Sequence, residues 1–485
     1  MKQRVCPAFS AGLIAILLFY FSPIESTTAN ASDNGNGFSI AEQTLFDKRA
    51  DQALTYLLRN LDKNSFTSGA VIASPSKHEP NYFYHWVRDA ALVMNTVLEV
   101  YIHTEDPALR TRYRNYLLRW VEFEKSIQDR ASPGEPKFYV SGAPYTDPWG
   151  RPQNDGPAAR AITMIRFAQV LIAEGKIDLV QKLYKAELPA TTPIKKDLEF
   201  TANYWRDPSF DLWEEVLGQH FYTRMVQRSA LLLGARLADQ LGDSGAAIYY
   251  RQKALELTLA IHSHRNYTKG VMEPTLDRSG GLASKWESLD VAVVLGSLHG
   301  STLAGAYDPL DPWVLASADK LESRFRDMYS INSDTRLGTG IGRYPEDVYD
   351  GAGFSGGNPW FISTNSFAEL YCRANETLSL TRKLPVTGIN QDLIAKLIPG
   401  QRPVLAGDTL TGSDTRLTLV NRGLRNLAAS YLTRSLYHMD AQGHMSEQFS
   451  RFDGFLRGAE DLSWSYASYL TAYMACFKTH TPQPF

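Results

Sequence analysis

Residues 39–61 read SIAEQTLFDKRADQALTYLLRNL, and this stretch sets the period of the chain. Ser39-Ile40-Ala41-Glu42 has capping-box spacing, in which a hydroxyl and a carboxylate three residues apart satisfy free N–H groups at a helix start. Ala50, Ala53, Leu54, Leu57, Leu58 and Leu61 then recur on one face at helical spacing, which predicts a first helix over 39–61. Comparable patterns follow near 89–103, 107–128, 157–174, 177–203, 219–241, 244–264, 286–298, 312–329, 359–376, 416–437 and 462–478. That makes about twelve helices and no convincing run of alternating strand residues.

The connections alternate in length. Short turns such as Glu174-Gly175 and Leu241-Gly242-Asp243 join some helices. Stretches rich in Gly, Pro and aromatic residues, at 64–88, 131–156, 204–218, 265–285, 330–358 and 438–461, stand between the resulting pairs. About six helical hairpins joined by elaborate loops predict an all-α double ring with the long loops gathered at one end. The competing layout is an elongated helical repeat, and the lack of a fixed-length internal repeat counts against it. No Ser/Thr/Pro tract, charge run or low-complexity segment interrupts residues 40–478, so a single large domain over 32–485 is expected.

Composition narrows the function. Fifty basic residues against 52 acidic ones leave a net charge of −2, with no basic stripe for phosphates, so no nucleic-acid partner is expected. The N-terminus carries Lys2 and Arg4, an apolar run over Leu13–Phe21, and Ala29-Asn30-Ala31, which together read as a secretory signal over 1–31. The run is short for a membrane span, so no stable membrane insertion of the mature chain is expected; retention as an anchor is the alternative. Cys372 and Cys476 lie in apolar helical patterns, either as buried free thiols or as one bridge. Asn266-Tyr-Thr268 and Asn375-Glu-Thr377 match the N-glycosylation pattern. His residues do not pair at ligand spacing, apart from His262 and His264 at a helix end, so no metal site is expected.

Chemistry concentrates in the long loops. Phe210-Asp211-Leu212-Trp213-Glu214-Glu215-Val216 puts adjacent carboxylates beside an indole, an arrangement that shifts pKa values and suits one half of a glycoside-cleaving site. Consecutive side chains point apart, so one glutamate faces the scissile bond and the other binds hydroxyls or an arginine. The second half is Glu447 in Met445-Ser446-Glu447-Gln448-Phe449. Tyr82 to Asp89 contains Arg88 and Asp89, which suit vicinal diols or form a helix-start ion pair. In Tyr145–Gly156, Trp149 is a sugar platform or a core cap, and Asp155 is a candidate helix cap. Arg343 and Trp360 flank a glycine-rich loop, where they close a cleft or tie the loop down. Asp461 or Ser463 is expected to cap the last helix.

Taken in order, Tyr82–Asp89, Trp149–Gly156, Asp211–Val216, Arg343–Asp347 with Asn358–Trp360, Met445–Phe449 and Leu462–Ala467 resemble the signatures of glucoamylases of fungal and yeast type. The resemblance implies an (α/α)6 barrel and an inverting, exo-acting hydrolase that releases β-D-glucose from α-1,4-glucans. It implies Glu214 as general acid and Glu447 as general base, with Asp211 the alternative proton acceptor. Arg88, Asp89 and Arg343 would hold the terminal glucose, Tyr82 stands in the same signature, and Trp149, Glu215 and Trp360 would shape the leaving-group subsites. It implies an α-glucan substrate, no cofactor and a secreted monomer (cell wall or vacuole as alternatives); as a departure from many members, no linker and starch-binding module are expected here. The Asp350–Gly357 loop is longer and richer in glycine than the resemblance leads one to expect. The competing functions are a trehalase-like enzyme on the same barrel and a non-catalytic glucan-binding module.

Overall fold

The structure, a computed structural model, describes residues 40–61, 68–302 and 304–478. The expected secretory signal and the Ser39 cap lie outside the described residues. Fourteen α-helices are present among those described. They are α1 (Ile40–Arg59), α2 (Val87–His103), α3 (Pro107–Gln128), α4 (Asp155–Ala173), α5 (Ile177–Leu183), α6 (Pro193–Tyr204) and α7 (Phe221–Gln240). After these come α8 (Ser244–His262), α9 (Ala292–Gly300), α10 (Pro312–Met328), α11 (Phe361–Thr381), α12 (Gln391–Leu397), α13 (Thr415–His438) and α14 (Ser463–Phe477).

Six of them form a closed inner ring. Contacts run from α2 to α4, α7, α9, α11 and α14, and α14 returns to α2. Outside them, α3 packs on α2, α6 on α4, α8 on α7, α10 on α9, α13 on α11 and α1 on α14. Burial follows position: α11 is buried from Phe361 to Cys372, whereas α8 buries only the stripe Ala247, Tyr250, Ala254, Leu257 and Ile261. This is the (α/α)6 barrel, and the connections that enter each inner helix are the six long loops read from the sequence. All six therefore collect where the inner helices begin.

The two ends of the barrel are built differently. At the short-turn end, Asp106, Asp243 and Asp311 cap the outer helices α3, α8 and α10 with their carboxylates, each accepting from backbone N–H groups one or two residues inside the helix. Gly242 closes α7 at φ +82°, a conformation that disfavours side chains. At none of the six inner helices does the N-cap residue itself make a side-chain cap bond. Their positive dipole ends face the loop end, where the sequence places its carboxylates.

Several expectations change. The span 177–203 is two helices, α5 and α6, separated around Pro189, with Pro193 starting the second. The helix expected at 286–298 is 292–300, because Asp290 bonds the Ala292 N–H and the Trp213 indole instead of lying inside it. A three-stranded antiparallel sheet joins Ser209–Phe210, Val216–His220 and Thr275–Gly281. Its third strand is polar and exposed, so it offered no alternating signal. Cys372 and Cys476 are bridged, not free. Asn375 lies within α11, donating its amide to the Asn421 carbonyl, and Thr377 is buried; Asn266 lies at a turn. Leu462, not Asp461 or Ser463, occupies the cap of α14. Among the described residues no helix is long and apolar enough to cross a membrane.

Candidate active site

The loop before α2 doubles back on itself through bonds from Ala73 N to Tyr84 O and Ser74 N to Tyr82 O. His85 and Trp86 then pair with Phe138 and Lys137 of the next loop. His85 is fixed from below: Nδ1 accepts from the Val71 N–H, and Nε2 lies 3.0 Å from Glu124. Glu124 also accepts from Trp120 and Arg160, and Arg160 bonds Asp197. This fully buried network aims the Trp86 indole, whose Nε1 donates to Glu214 Oε1 at 2.8 Å. Gln153 donates to the same oxygen at 3.0 Å.

The 211–216 turn separates the paired glutamates. Asp211 is buried and accepts from the N–H groups of Glu215 and Val216 at 2.7 and 3.0 Å, while Lys285 holds its other oxygen at 3.1 Å. Burial pushes the Asp211 carboxyl up, but Lys285, His220 and the two backbone donors more than offset it, so it is held below its ordinary value. Glu214 takes the left-handed conformation at φ +67°, costing roughly 1–2 kcal/mol. That kink sends Glu214 to the cavity and Glu215 to Arg343, 2.8 Å away, and to the Tyr344 hydroxyl at 2.6 Å.

Arg343 is buried, bidentate on Asp347 at 2.7 Å for both bonds, and ringed by Trp213, Tyr344, Tyr349 and Trp360. Glu447 enters from the last loop, 1% exposed. Gln448 donates to its Oε2 at 3.2 Å, and the Tyr82 and Tyr349 hydroxyls, 3.1 Å apart, favour its charged form. Burial pushes the Glu447 carboxyl up to about 8 against the pull of Tyr82, Arg343, Tyr349 and Gln448. Asp89 is pushed by burial to about 6, opposed by Arg88.

One cavity receives these groups. Tyr82, Trp86, Arg88, Asp89, Trp213, Glu214, Arg343, Tyr349, Trp360, Glu447 and Trp464 all line it. The two glutamates, from the middle and the end of the chain, thus share a single enclosure. Arg88 Nε, Asp89 Oδ2, Trp149 Nε1 and Trp360 Nε1 are buried without a hydrogen-bond partner. Orphaned polar groups cost about 1–3 kcal/mol each, so three on the cavity lining, with Trp149 beside Trp86 a fourth, mark where a hydroxyl-rich ligand belongs.

Of the residues expected from sequence, Tyr82, Arg88, Asp89, Glu214, Arg343, Trp360 and Glu447 meet at the cavity. Trp149 stands beside Trp86, with Lys137 Nζ 3.5 Å over its ring, and Glu215 lies behind Arg343. Asp211 is not among the residues that line the cavity; its Oδ1 accepts from two N–H groups of the turn and its Oδ2 from Lys285. Asp155 serves as a partner of Arg88 at 3.0 Å. Gln153, Tyr349 and Lys137 were missed as site residues. Tyr349 and Gln153 stood beside or inside the quoted clusters, whereas Lys137 gave no signal. Lys137 sits among Tyr84, Trp86, Tyr145 and Trp149, and burial pulls its amine down to about 8.

A closed double ring of helices with two carboxyls lining one cavity is the architecture of a glycoside-cleaving enzyme. Residues 51–474 match the family described as glycosyl hydrolases family 15, and the chain belongs to that family. It is 36% identical over 444 residues to a glucoamylase of Blastobotrys adeninivorans, covering 88% of this chain and 70% of the relative. Glucoamylase GLU1 of Saccharomycopsis fibuligera is 33% identical over 518 residues, 97% of this chain and 98% of that one. The solved glucoamylase of Saccharomycopsis fibuligera superposes with a TM-score of 0.81 at 29% identity, covering 94% of this chain and 98% of the other. A family 15 glucoamylase from Hypocrea jecorina gives 0.80 at 30% identity, covering 90% and 72%.

Proposed function

We propose that this chain is an inverting glucan 1,4-alpha-glucosidase, removing glucose one unit at a time from the non-reducing ends of α-1,4-glucans. The observation that carries the reading is the meeting of Glu214 and Glu447 in one cavity studded with unpaired buried donors and acceptors.

Glu214 acts as the general acid. Its Oε1 is engaged by Trp86 and Gln153, so Oε2 is the oxygen that carries the proton to the glycosidic oxygen. Glu447 acts as the general base from the opposite wall, drawing a proton from the water that attacks the anomeric carbon, and the product is the β-anomer. Burial favours the protonated form of Glu447. The positive charge that develops on the sugar ring reverses this preference, since an adjacent cation favours the carboxylate. Arg88 and Asp89 hold hydroxyls of the terminal glucose through their orphaned atoms, Arg343 lines the cavity beside them, and Trp149 and Trp360 flank the leaving group with their rings and indole N–H groups. Glu215 fixes Arg343. The enzyme works as a secreted monomer, glycosylated at Asn266.

Purified protein is expected to release β-glucose singly from maltoheptaose. Release of maltose or larger pieces, or of the α-anomer, would reject the reading, as would activity on trehalose alone. Glu214→Gln is expected to lower kcat by about 10²–10⁴-fold while maltooligosaccharide binding persists. Near-normal turnover in that variant would remove Glu214 from the acid role.

A further inference from the structure

One buried residue beside the cavity wall is tied on both sides in a way that packing alone does not require. His85 and Trp86 form a two-residue strand paired with Phe138 and Lys137, so their side chains leave it on opposite faces. His85 is fully buried on the inner face. Its Nδ1 accepts from the Val71 N–H at 3.1 Å, which places the ring proton on Nε2, 3.0 Å from Glu124 Oε1. Glu124 is buried in turn, accepting from Trp120 Nε1 on the same oxygen and from Arg160 on the other, each at 2.8 Å. Arg160 is bidentate on Asp197 at 2.7 and 2.6 Å, and Gln128 donates to Asp197 at 2.8 Å.

Burying so many charged and polar groups is often no gain in stability over apolar packing of the same volume, but a fully bonded network admits one orientation. The outer face of the strand uses that orientation. The Trp86 ring meets Tyr82, Tyr84 and Trp149 edge-on or tilted, contacts that carry no hydrogen-bond direction, while its Nε1 donates to Glu214 Oε1 at 2.8 Å. When the glycosidic bond breaks, its electron pair and the Glu214 proton pass to the leaving oxygen. The carboxylate that remains keeps the Trp86 N–H bond, which is stronger to the anion than to the acid. An indole displaced by about 1 Å gives up that bond and lets the acid turn away from the sugar.

We propose that His85 is a positioning residue for the acid step: clamped between Val71 and Glu124, it sets the aim of Trp86 and, through Trp86, the carboxyl of Glu214. The inference rests on the reading of Glu214 as general acid and goes beyond it by assigning a residue that is not among those lining the cavity. Loss of His85 has a second route to the cavity, because Val71 leads into Ala73 and Ser74, whose N–H groups bond Tyr84 and Tyr82. A test must therefore separate the proton donor from the wall. α-Glucosyl fluoride does so, since fluoride departs with little help from an acid, whereas the leaving sugar of maltose needs the proton.

The full chain is assayed as His85→Phe, which keeps a ring and drops both bonds, and as His85→Asn, whose shorter amide keeps an acceptor for Val71 and gives up Glu124. His85→Phe is expected to lower kcat on maltose by about 10–100-fold with KM within about twofold, and to lower kcat on α-glucosyl fluoride by less than about threefold. His85→Asn is expected to lose about fivefold or more on maltose with the fluoride again spared, and it carries the test alone should the phenylalanine variant not fold. In a Trp86→Phe background the same substitutions are expected to add less than about twofold on maltose, because the donor they act through is already gone. An equal loss on both substrates would overturn the proposal. So would maltose rates within about twofold of the parent in the variants that fold, or a full additional loss in the Trp86→Phe background. Glu214→Gln losing as much on the fluoride as on maltose would defeat the acid reading itself, a result independent of His85.

Discussion

At Glu447 the demands of catalysis and of folding pull apart. The carboxyl is fully enclosed, and burial raises it from the ordinary 4.5 to about 8 in spite of four groups that favour its charge. The sign of the linkage follows. Below pH ~4.5 the group is protonated folded or unfolded and contributes nothing; between there and about 8 the unfolded chain releases a proton that the folded chain retains, so stability falls as pH rises. Glu447→Gln replaces the acid by a neutral isostere. It is expected to raise the melting temperature at pH 7.5, by a free energy of about 1–4 kcal/mol, and to leave it unchanged near pH 4. Melting curves at the two pH values decide it; an equal gain at both would assign the effect to packing and not to charge. The same variant is expected to retain slow hydrolysis, because water still reaches the sugar without a base. Stability gained at the expense of turnover is what a catalytic carboxylate held in an unfavourable environment entails.

The elements show what residue patterns disclose and what they hide. Helical periodicity located the six inner and six outer helices, because each inner helix must be apolar on several sides and each outer one on a stripe. The long loops announced themselves through Gly, Pro and aromatic residues, and Glu214, Glu447, Arg88 and Arg343 were legible in them as clusters. Asp211 stood as the alternative proton acceptor by resemblance; only the three-dimensional turn reveals its bonds to Lys285 and two N–H groups. Lys137 was invisible since its meaning comes from four rings contributed by two loops. The strand pair 448–449 and 456–457 hid in the same way, being too short for periodicity. That hairpin makes a sharp prediction. Gly458 has φ +71°, and a Cβ there would come within 2.4 Å of Glu447 Oε2. Gly175 has φ +70° with nothing within 4 Å. Both Gly→Ala substitutions are expected to cost a similar ~1–2 kcal/mol of stability through the backbone, but only Gly458→Ala displaces Glu447, the proposed base. Its kcat is expected to fall at least about tenfold with that of Gly175→Ala unchanged. Equal kcat values in the two variants would separate the glycine from the site.

Across the whole molecule, the geometry of the cavity depends on the ring being shut, since Glu214 and Glu447 enter it from different sectors. The last inner helix, α14, closes the ring against α2, and Cys476 near its end is bonded to Cys372 of α11. The bridge spans 104 residues, a segment that contains α13, the Glu447 loop and α14 itself. From sequence buried free thiols were the plain reading and one bridge the alternative, because the pairing exists only once α11 and α14 stand side by side in a closed ring. Tying down a segment of that length restricts the unfolded chain by up to about 4–5 kcal/mol, with 2–4 kcal/mol the usual measured range. Cys372→Ala with Cys476→Ala is therefore expected to lower the melting temperature by several degrees and to shorten the half-life of activity on heating. Initial rates on maltose at 25 °C are expected to stay near those of the parent, since neither sulfur lies on the cavity. Reductant added to the parent reproduces the loss if the covalent bond is its source, whereas a loss seen in the double variant alone points to the packing of the two side chains. An unchanged melting temperature in both would mean that helix packing alone closes the barrel around its substrate.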